Sequence, residues 1–246
     1  MPNSSVLPAP FALAAQATGA ESPLSLFTPP FSAPAELSQA KETNRSVELS
    51  RTIKVIRGAT LFLPRDQFDC LYVLKNGTFK TFVMDEQGRV QITGFQMPGD
   101  VLGLEAIGAG VHQNTAMALQ DSDLYRLQPA PISAQGGQTT QQISTLLSQQ
   151  LVRNQQMMLL MGNFNAGERV AAFLVGLSSD FAQRGYSSTQ FVMRMSRHDI
   201  ACYLGMRLET VSRCIAHLRD LQIIDCHGRT VEILDMHLLK GATQTL

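Results

Sequence analysis

The rhythm of apolar and polar positions changes several times along this chain, and each change predicts a different kind of structure. Residues 1 to 45 show no period: seven prolines (Pro2, Pro8, Pro10, Pro23, Pro29, Pro30, Pro34) are set among Ala and Ser. Such a stretch cannot sustain helix or sheet ladders, so a disordered tail is expected. Residues 46 to 138 change to short strand-like runs. Cys70 to Met84 reads as strand, Asn76-Gly77 turn, strand, the pattern of a hairpin. Asp85 to Gly88 and Pro98 to Asp100 mark further turns, and glycines recur every few residues. Regular short strands with Gly turns predict a small antiparallel barrel or jelly roll.

Residues 139 to 163 carry no Pro and no Gly before Gly162, and Leu147, Leu151, Asn154, Met158 and Met161 are spaced 4, 3, 4, 3. That spacing is a coiled-coil seam, and a helix of roughly 35 Å is too long for one small barrel to cover. The seam therefore predicts a twin helix and a homodimer, with Met157 packing beside it. Residues 164 to 246 are expected to form a separate domain. A hinge over Asn163 to Gly167 precedes a helix from Glu168 to Phe181, a short strand within Ser187 to Met195, two further helices and a strand from Thr230 to Leu234.

The two helices carry the most specific pattern. Ser196-Arg-His-Asp199 is a capping-box variant that starts a helix from Arg197 to Leu204, and Gly205 stands where a left-handed residue would end it. Counting from Arg197, small Ala201 is fifth, Gly205 ninth and β-branched Val211 fifteenth. This register describes a helix-turn-helix. Ile200 and Leu204 complete the inner face of the first helix. Leu208, Val211, Ile215 and Leu218 are expected to be buried on the second, which runs from Leu208 to about Leu221. Glu209, Ser212 and Arg213 then project together on the opposite face. Arg213 suits guanine O6 and N7, Glu209 the amino group of cytosine, and Ser212 a base edge or a thymine methyl. Arg197, Arg207 and Thr210 are candidates for phosphate contacts.

Composition narrows the function. The chain has 246 residues and zero formal net charge, which disfavours indiscriminate binding of polyanions. Locally the balance differs: from 194 to 219 there are five arginines and two acids, 5 − 2 = +3, as phosphate positioning requires. The four cysteines (Cys70, Cys202, Cys214, Cys226) form no CxxC pair. No apolar run approaches a membrane span, and no secretion signal is evident, so a cytoplasmic protein with reduced thiols is expected.

These residues are similar to the Crp/Fnr family of bacterial regulators. The resemblance covers about residues 47 to 235. It is specific at Gln91-Ile-Thr-Gly-Phe with Pro-Gly-Asp-Val-Leu-Gly103, at Glu168-Arg-Val-Ala-Ala-Phe-Leu174, and at Asp199-Ile with Glu-Thr-Val-Ser-Arg213. It implies an α+β architecture: a cyclic-nucleotide-binding-type β-roll, a long dimerisation helix and a C-terminal winged helix-turn-helix. It also implies a DNA-binding transcription regulator that acts as a dimer on double-stranded DNA. The Glu-xx-Ser-Arg form after an apolar Leu208 resembles the Fnr branch, which implies a palindrome like TTGAT-N4-ATCAA. In family activators the loop holding Asp85, Glu86 and Arg89 is an RNA polymerase contact; a solvated turn is the other reading.

Two departures bear on cofactors. No cysteine precedes Cys70, and Tyr125 stands where the Fnr branch has its roll cysteine, so the four thiolates of an iron–sulfur cluster are not assembled. The family's Gly-Glu falls at Gly103-Leu104, and its Arg-Ser phosphate clamp near Asn114-Thr115, so the bidentate partner of a cyclic phosphate is missing. No cofactor is expected. The helix from Gln141 to Gly162 has no carboxylate and one cation, Arg153, so no charge repulsion opposes pairing. A ligand-independent dimer is the expectation. The alternative is a regulator of the same family gated by a small ligand, haem or nitric oxide, or thiol redox state at Cys202 or Cys214. A cupin-type enzyme would need two or three histidines in the roll, which has only His112. A binding module without DNA would not need the Glu209, Ser212, Arg213 triplet.

Overall fold

The computed structural model describes residues 50–127 and 137–243. The proline-rich segment and its phenylalanines (Phe11, Phe27, Phe31) lie outside the described residues. Eight strands open the fold: β1 (Ser50–Val55), β2 (Thr60–Phe62), β3 (Leu71–Asn76), β4 (Phe79–Met84), β5 (Val90–Gln96), β6 (Val101–Leu102), β7 (Thr115–Ala118) and β8 (Ser122–Leu127). They form two antiparallel four-stranded sheets, ordered β1-β8-β3-β6 and β2-β7-β4-β5. Leu74, Phe79, Leu102, Ala116 and Leu124 fill the space between them. Full burial of each large side chain contributes about 1.5–3 kcal/mol.

The Asn76-Gly77 turn corrects the hairpin expected from sequence. Strands β3 and β4 are both present but do not pair with each other. Each belongs to a different sheet, and the chain crosses between sheets at Gly77. Gly77 sits at φ 105°, and a Cβ there would collide with Ser122. The glycine is therefore required where the crossing chain passes closely against Ser122 of β8, not for a two-residue hairpin turn. The true hairpin is β4–β5, closed by Asp85 to Arg89.

Helix α1 spans Gly137–Asn163 and α2 spans Ala166–Gln183. The expected hinge over Asn163 to Gly167 contracts to Phe164 and Asn165, because Asn165 caps α2 in a complete capping box with Glu168. That box stabilises the first turn strongly enough to include Gly167. There follow β9 (Gln190–Val192), α3 (Arg197–Leu204), α4 (Leu208–Asp220), β10 (Ile224–His227), β11 (Thr230–Ile233) and α5 (Met236–Gly241). Strands β10, β11 and β9 make a small antiparallel sheet, the wing. No described helix is long and apolar enough to cross a membrane.

One apolar core joins the roll to the C-terminal helices. Ile92, Phe95 and Met97 around β5 pack with Leu160 of α1, Phe173 and Leu174 of α2, and Ile200 and Tyr203 of α3. Phe95, Phe173 and Tyr203 form an aromatic trio with ring centroids 5.2–6.3 Å apart. Polar contacts reinforce the junction. Lys80 of β4 meets Asp199 of α3 at 2.6 Å. Arg184 after α2 donates to Asp100 at 2.8 Å and to the Pro98 carbonyl at 3.1 Å. Gln91 donates to the Tyr203 carbonyl at 3.3 Å. The motif thus sits on the outer face of the roll as part of one solid body.

Candidate nucleic-acid interface

The geometry of α3 and α4 follows from their ends. Ser196 caps α3: its hydroxyl oxygen accepts the Asp199 N–H at 3.0 Å, and the Asp199 carboxylate accepts the Ser196 N–H at 2.8 Å. The same carboxylate takes the Lys80 ammonium. Among these contacts the Lys80 and Ser196 hydrogen bonds hold the Asp199 carboxyl below the usual carboxylate range, although burial pushes it upward most strongly of any single influence. Gly205 ends α3 at φ 63°, ψ 40°, the left-handed cap that its position predicts. Helix α4 starts three residues later.

Val211, Ile215 and Leu218 are buried under α4 against α3, where Ala201 admits the close approach. Leu208 departs from expectation: it is 40% exposed. It occupies the first position of α4. Glu209 and Arg213 are exposed and Ser212 is half-buried. The side chains of Glu209 and Arg213 make no hydrogen bond or ion pair to any described residue. Arg197 and Arg207 are exposed, and Thr210 is half-buried. Arg207 is the N-cap residue of α4 and offers no side-chain acceptor to it.

Asp199 is 6% exposed and neutralised by Lys80. Of the two acids between residues 194 and 219, only Glu209 therefore reaches solvent, beside the exposed Arg194, Arg197, Arg207, Arg213 and Arg219. Over residues 194 to 219 the exposed surface is thus more cationic than the sequence count, while the exposed Asp220 at the end of α4 lies 3.9 Å from Arg219. An outward carboxylate in the first turn of α4, near the exposed Arg207 and Arg213, suits contact with a base amino group rather than with phosphate.

The seam residues of α1 divide. Leu147, Leu151 and Met158 are 41%, 59% and 74% exposed, and Asn154 is also exposed, accepting from Gln150 at 3.3 Å. Val152 and Leu159 beside them are exposed as well. Met161 and Met157 differ, being half-buried. Met157 packs on the subunit's own core, and the Met161 methyl lies 3.8 Å from where a Cβ would stand on Gly205. Arg153, the helix's one cation, turns inward. It acts on both Asp100 of the roll and Tyr203 of α3, and so faces the junction rather than the seam.

The roll places its polar groups inside its own framework. His112 is 3% exposed, stacks on Phe62 at 3.7 Å and lies 3.2 Å from Glu105 through Nδ1. Gly103 is left-handed (φ 93°), and Leu104 after it is buried with Leu71 and Leu146, the last from α1. Thr115 is buried in β7. Cys70 is fully buried and accepts from Arg126 at 3.2 Å. Among described residues no group of three or more His, Cys, Asp or Glu could hold a metal ion. Burial raises the Cys202, Cys214 and Cys226 thiols above their ordinary value. In the β4–β5 turn, Asp85 accepts the N–H groups of Gln87 and Arg89 (3.0 and 2.8 Å) and the Arg89 guanidinium (2.6 Å). Those bonds, the Arg89 N–H first, hold the Asp85 carboxyl below its ordinary value. Glu86 at the tip is exposed. Sequence reasoning missed β10, α5, and the Lys80–Asp199 and Arg184–Asp100 contacts. The last two join residues 119 and 84 positions apart, and no local pattern links them.

A double-sheet roll, a long helix with an exposed apolar seam and a winged helix-turn-helix define a DNA-binding regulator. Comparisons with known proteins agree. A cyclic nucleotide-binding domain model matches residues 52–134 and a Crp-like helix-turn-helix domain model matches residues 168–242. The transcriptional regulatory protein btr of Bordetella pertussis is 38% identical over 82% of this chain and 85% of its own. The fumarate nitrate reduction regulatory protein of Klebsiella oxytoca is 37% identical over 78% of each chain. The solved structure of FixK2 from Bradyrhizobium japonicum superimposes with a TM-score of 0.71 at 26% identity, covering 80% of this chain and 98% of that one. The chain belongs to the Crp/Fnr family of transcription regulators. Homodimers on palindromic DNA are typical of that family.

Proposed function

We propose that this regulator binds a palindrome of the TTGAT-N4-ATCAA type as a homodimer, and does so without an iron–sulfur cluster or a cyclic nucleotide. Glu209, Ser212 and Arg213 read base edges. Arg197, Arg207 and Thr210 hold phosphates. Leu147, Leu151, Asn154 and Met158 meet their twins across the dimer axis, with Met161 at the end of the seam. The observation that carries this reading is the outward face of α4, where Glu209 and Arg213 stand unengaged over a fully buried Val211, Ile215 and Leu218.

Cofactor independence rests on the donors present. The four cysteines are divided, one in the roll core and three in the DNA-binding domain, so they offer no common site to a cluster needing about four thiolates. The position where the family carries a ribose-binding carboxylate is Leu104, buried in an apolar cluster. A cyclic nucleotide would displace that packing and find no guanidinium at Asn114-Thr115. Thiol gating has little support, because the raised pKa of Cys202 disfavours its reactive thiolate. Glu86, exposed on a turn braced by Asp85 and Arg89, is the residue of that loop best placed to touch RNA polymerase; Asp85 and Arg89 shape the turn.

The deciding experiment is a titration of aerobically purified, ligand-free protein against the TTGAT-N4-ATCAA duplex and a scrambled control at fixed salt. Selective binding is the expected result. Binding that becomes selective only after anaerobic cluster reconstitution or addition of cyclic AMP would overturn the reading.

A further inference from the structure

One side chain ties the dimer helix to the helix-turn-helix. Arg169, in the first turns of α2, donates from Nη2 to the Met161 carbonyl (2.6 Å), from Nε to the Phe164 carbonyl (2.9 Å) and from Nη1 to the Leu204 carbonyl (3.3 Å). The first two carbonyls belong to the end of α1 and the residue after it. The third is the last residue of α3, immediately before the Gly205 turn. Carbonyls at helix C-termini lack partners within the helix and carry the negative end of the dipole. A guanidinium satisfies two such ends at once, and its planar fork fixes their separation and angle. The Met161 methyl against Gly205 closes the same joint from the other side.

We propose that Arg169 is a positioning residue that sets the half-site spacing the dimer accepts. This rests on the reading of the protein as a dimer on a palindrome. The α1 seam fixes the dimer axis. Helix α4 packs rigidly on α3 through Val211 and Ile215. The distance between the two recognition helices of a dimer therefore depends on how α3 is held to α1, and Arg169 bonds both. Adding one base pair to the spacer moves a half-site by about 3.4 Å and turns it by about 35°. A joint locked by three hydrogen bonds resists that displacement, and a joint without them yields to it.

The test uses the full chain, wild type and Arg169→Met, against duplexes with spacers of two to six base pairs. A further duplex carries one base changed inside a half-site. The wild type is expected to prefer its best spacer over the next by roughly tenfold or more, the scale of one disrupted base-pair contact. Arg169→Met is expected to remain dimeric by sedimentation and to keep its discrimination against the altered half-site base, while its spacer preference collapses toward one. A uniform loss of affinity with the spacer ratio unchanged would make Arg169 merely structural and overturn the proposal. If the methionine variant does not fold, Arg169→Lys decides the matter. It keeps the charge but cannot fork across both helix ends, so its spacer ratio should fall between the other two. An unchanged ratio, or failure of this variant to dimerise, also overturns the assignment. A wild type with no spacer preference would instead overturn the palindrome reading itself.

Discussion

The roll and the DNA-binding domain use their polar side chains in opposite ways. In the roll they are spent on the framework: His112 stacks on Phe62 beside Glu105, Cys70 takes a hydrogen bond from Arg126, and Asp85 holds its own turn together. At the outer face of α4 they are left unspent, with Glu209 and Arg213 directed at solvent over an apolar base. A side chain committed to the framework is unavailable to a ligand, whereas an exposed one with no partner loses only water when DNA arrives. The contrast teaches that the family's architecture is kept at both ends of this molecule, while these polar groups of the roll serve its framework and those of α4 face solvent.

The sharpest way to break this comparison is Arg213→Ala. Loss of a bidentate base contact should cost about 1–3 kcal/mol in each half-site. Selective binding should disappear while weak salt-dependent binding remains, as a fluorescence titration on cognate and scrambled duplexes would read out. An unaltered selectivity ratio would remove α4 as the reader.

Leu151→Glu comes next. It replaces an exposed apolar side chain at the centre of the seam with a charge that would face its own copy. Burial of a leucine contributes about 1.5–3 kcal/mol per subunit, so dissociation should shift to markedly higher protein concentration by sedimentation velocity. Persistence of the wild-type dimer would place the interface elsewhere.

A smaller effect is expected at the junction between the two regions. Asp199→Asn removes the ion pair with Lys80 and weakens the cap of α3, which should lower stability by about 0.5–2 kcal/mol, the range of a lost cap. The pH dependence has a definite sign. The Asp199 carboxyl is held below its unfolded value, so its contribution is complete above about pH 4 and is lost as pH falls through the lowered folded pKa. Burial raises Asp100 despite Arg184, so that carboxyl works in the reverse sense and gains stability on acidification. Thermal unfolding from neutral pH to below 4 should show the Asp199 loss in the wild type and its absence in Asp199→Asn. Parallel curves would count against the pair.

The smallest expected effect is none. Cyclic AMP at millimolar concentration should leave the melting temperature unchanged, whereas binding at a hundred times Kd would add about 2.7 kcal/mol. A clear upward shift would show that the roll retains a ligand pocket.

Much of the fold was legible because its signals are local. The Ser196 to Asp199 cap, the Gly205 stop and the spacing of Ala201 to Val211 each act within a few residues, so the ends of α3 were readable in advance. Turn chemistry at Asn76-Gly77 was misleading for a physical reason: a left-handed glycine is compatible with a hairpin or with a crossing between sheets, and only the position of Ser122 distinguishes them. Leu208 fits the apolar rhythm of α4 as well as Val211 does, yet at the first position of the helix it is exposed. Met161 likewise fits the seam but lies against the Gly205 turn.

The sequence by itself determined most of the strands, the long helix and the exposed polar face of α4, because periodicity and capping depend on neighbours along the chain. Only the tertiary structure decided how the reader is aimed. Lys80 with Asp199, Arg184 with Asp100 and Arg169 across two helix ends are set by contacts between distant segments. Long-range pairings of this kind leave no period in the chain, since each depends on where the backbone has already been carried by the core.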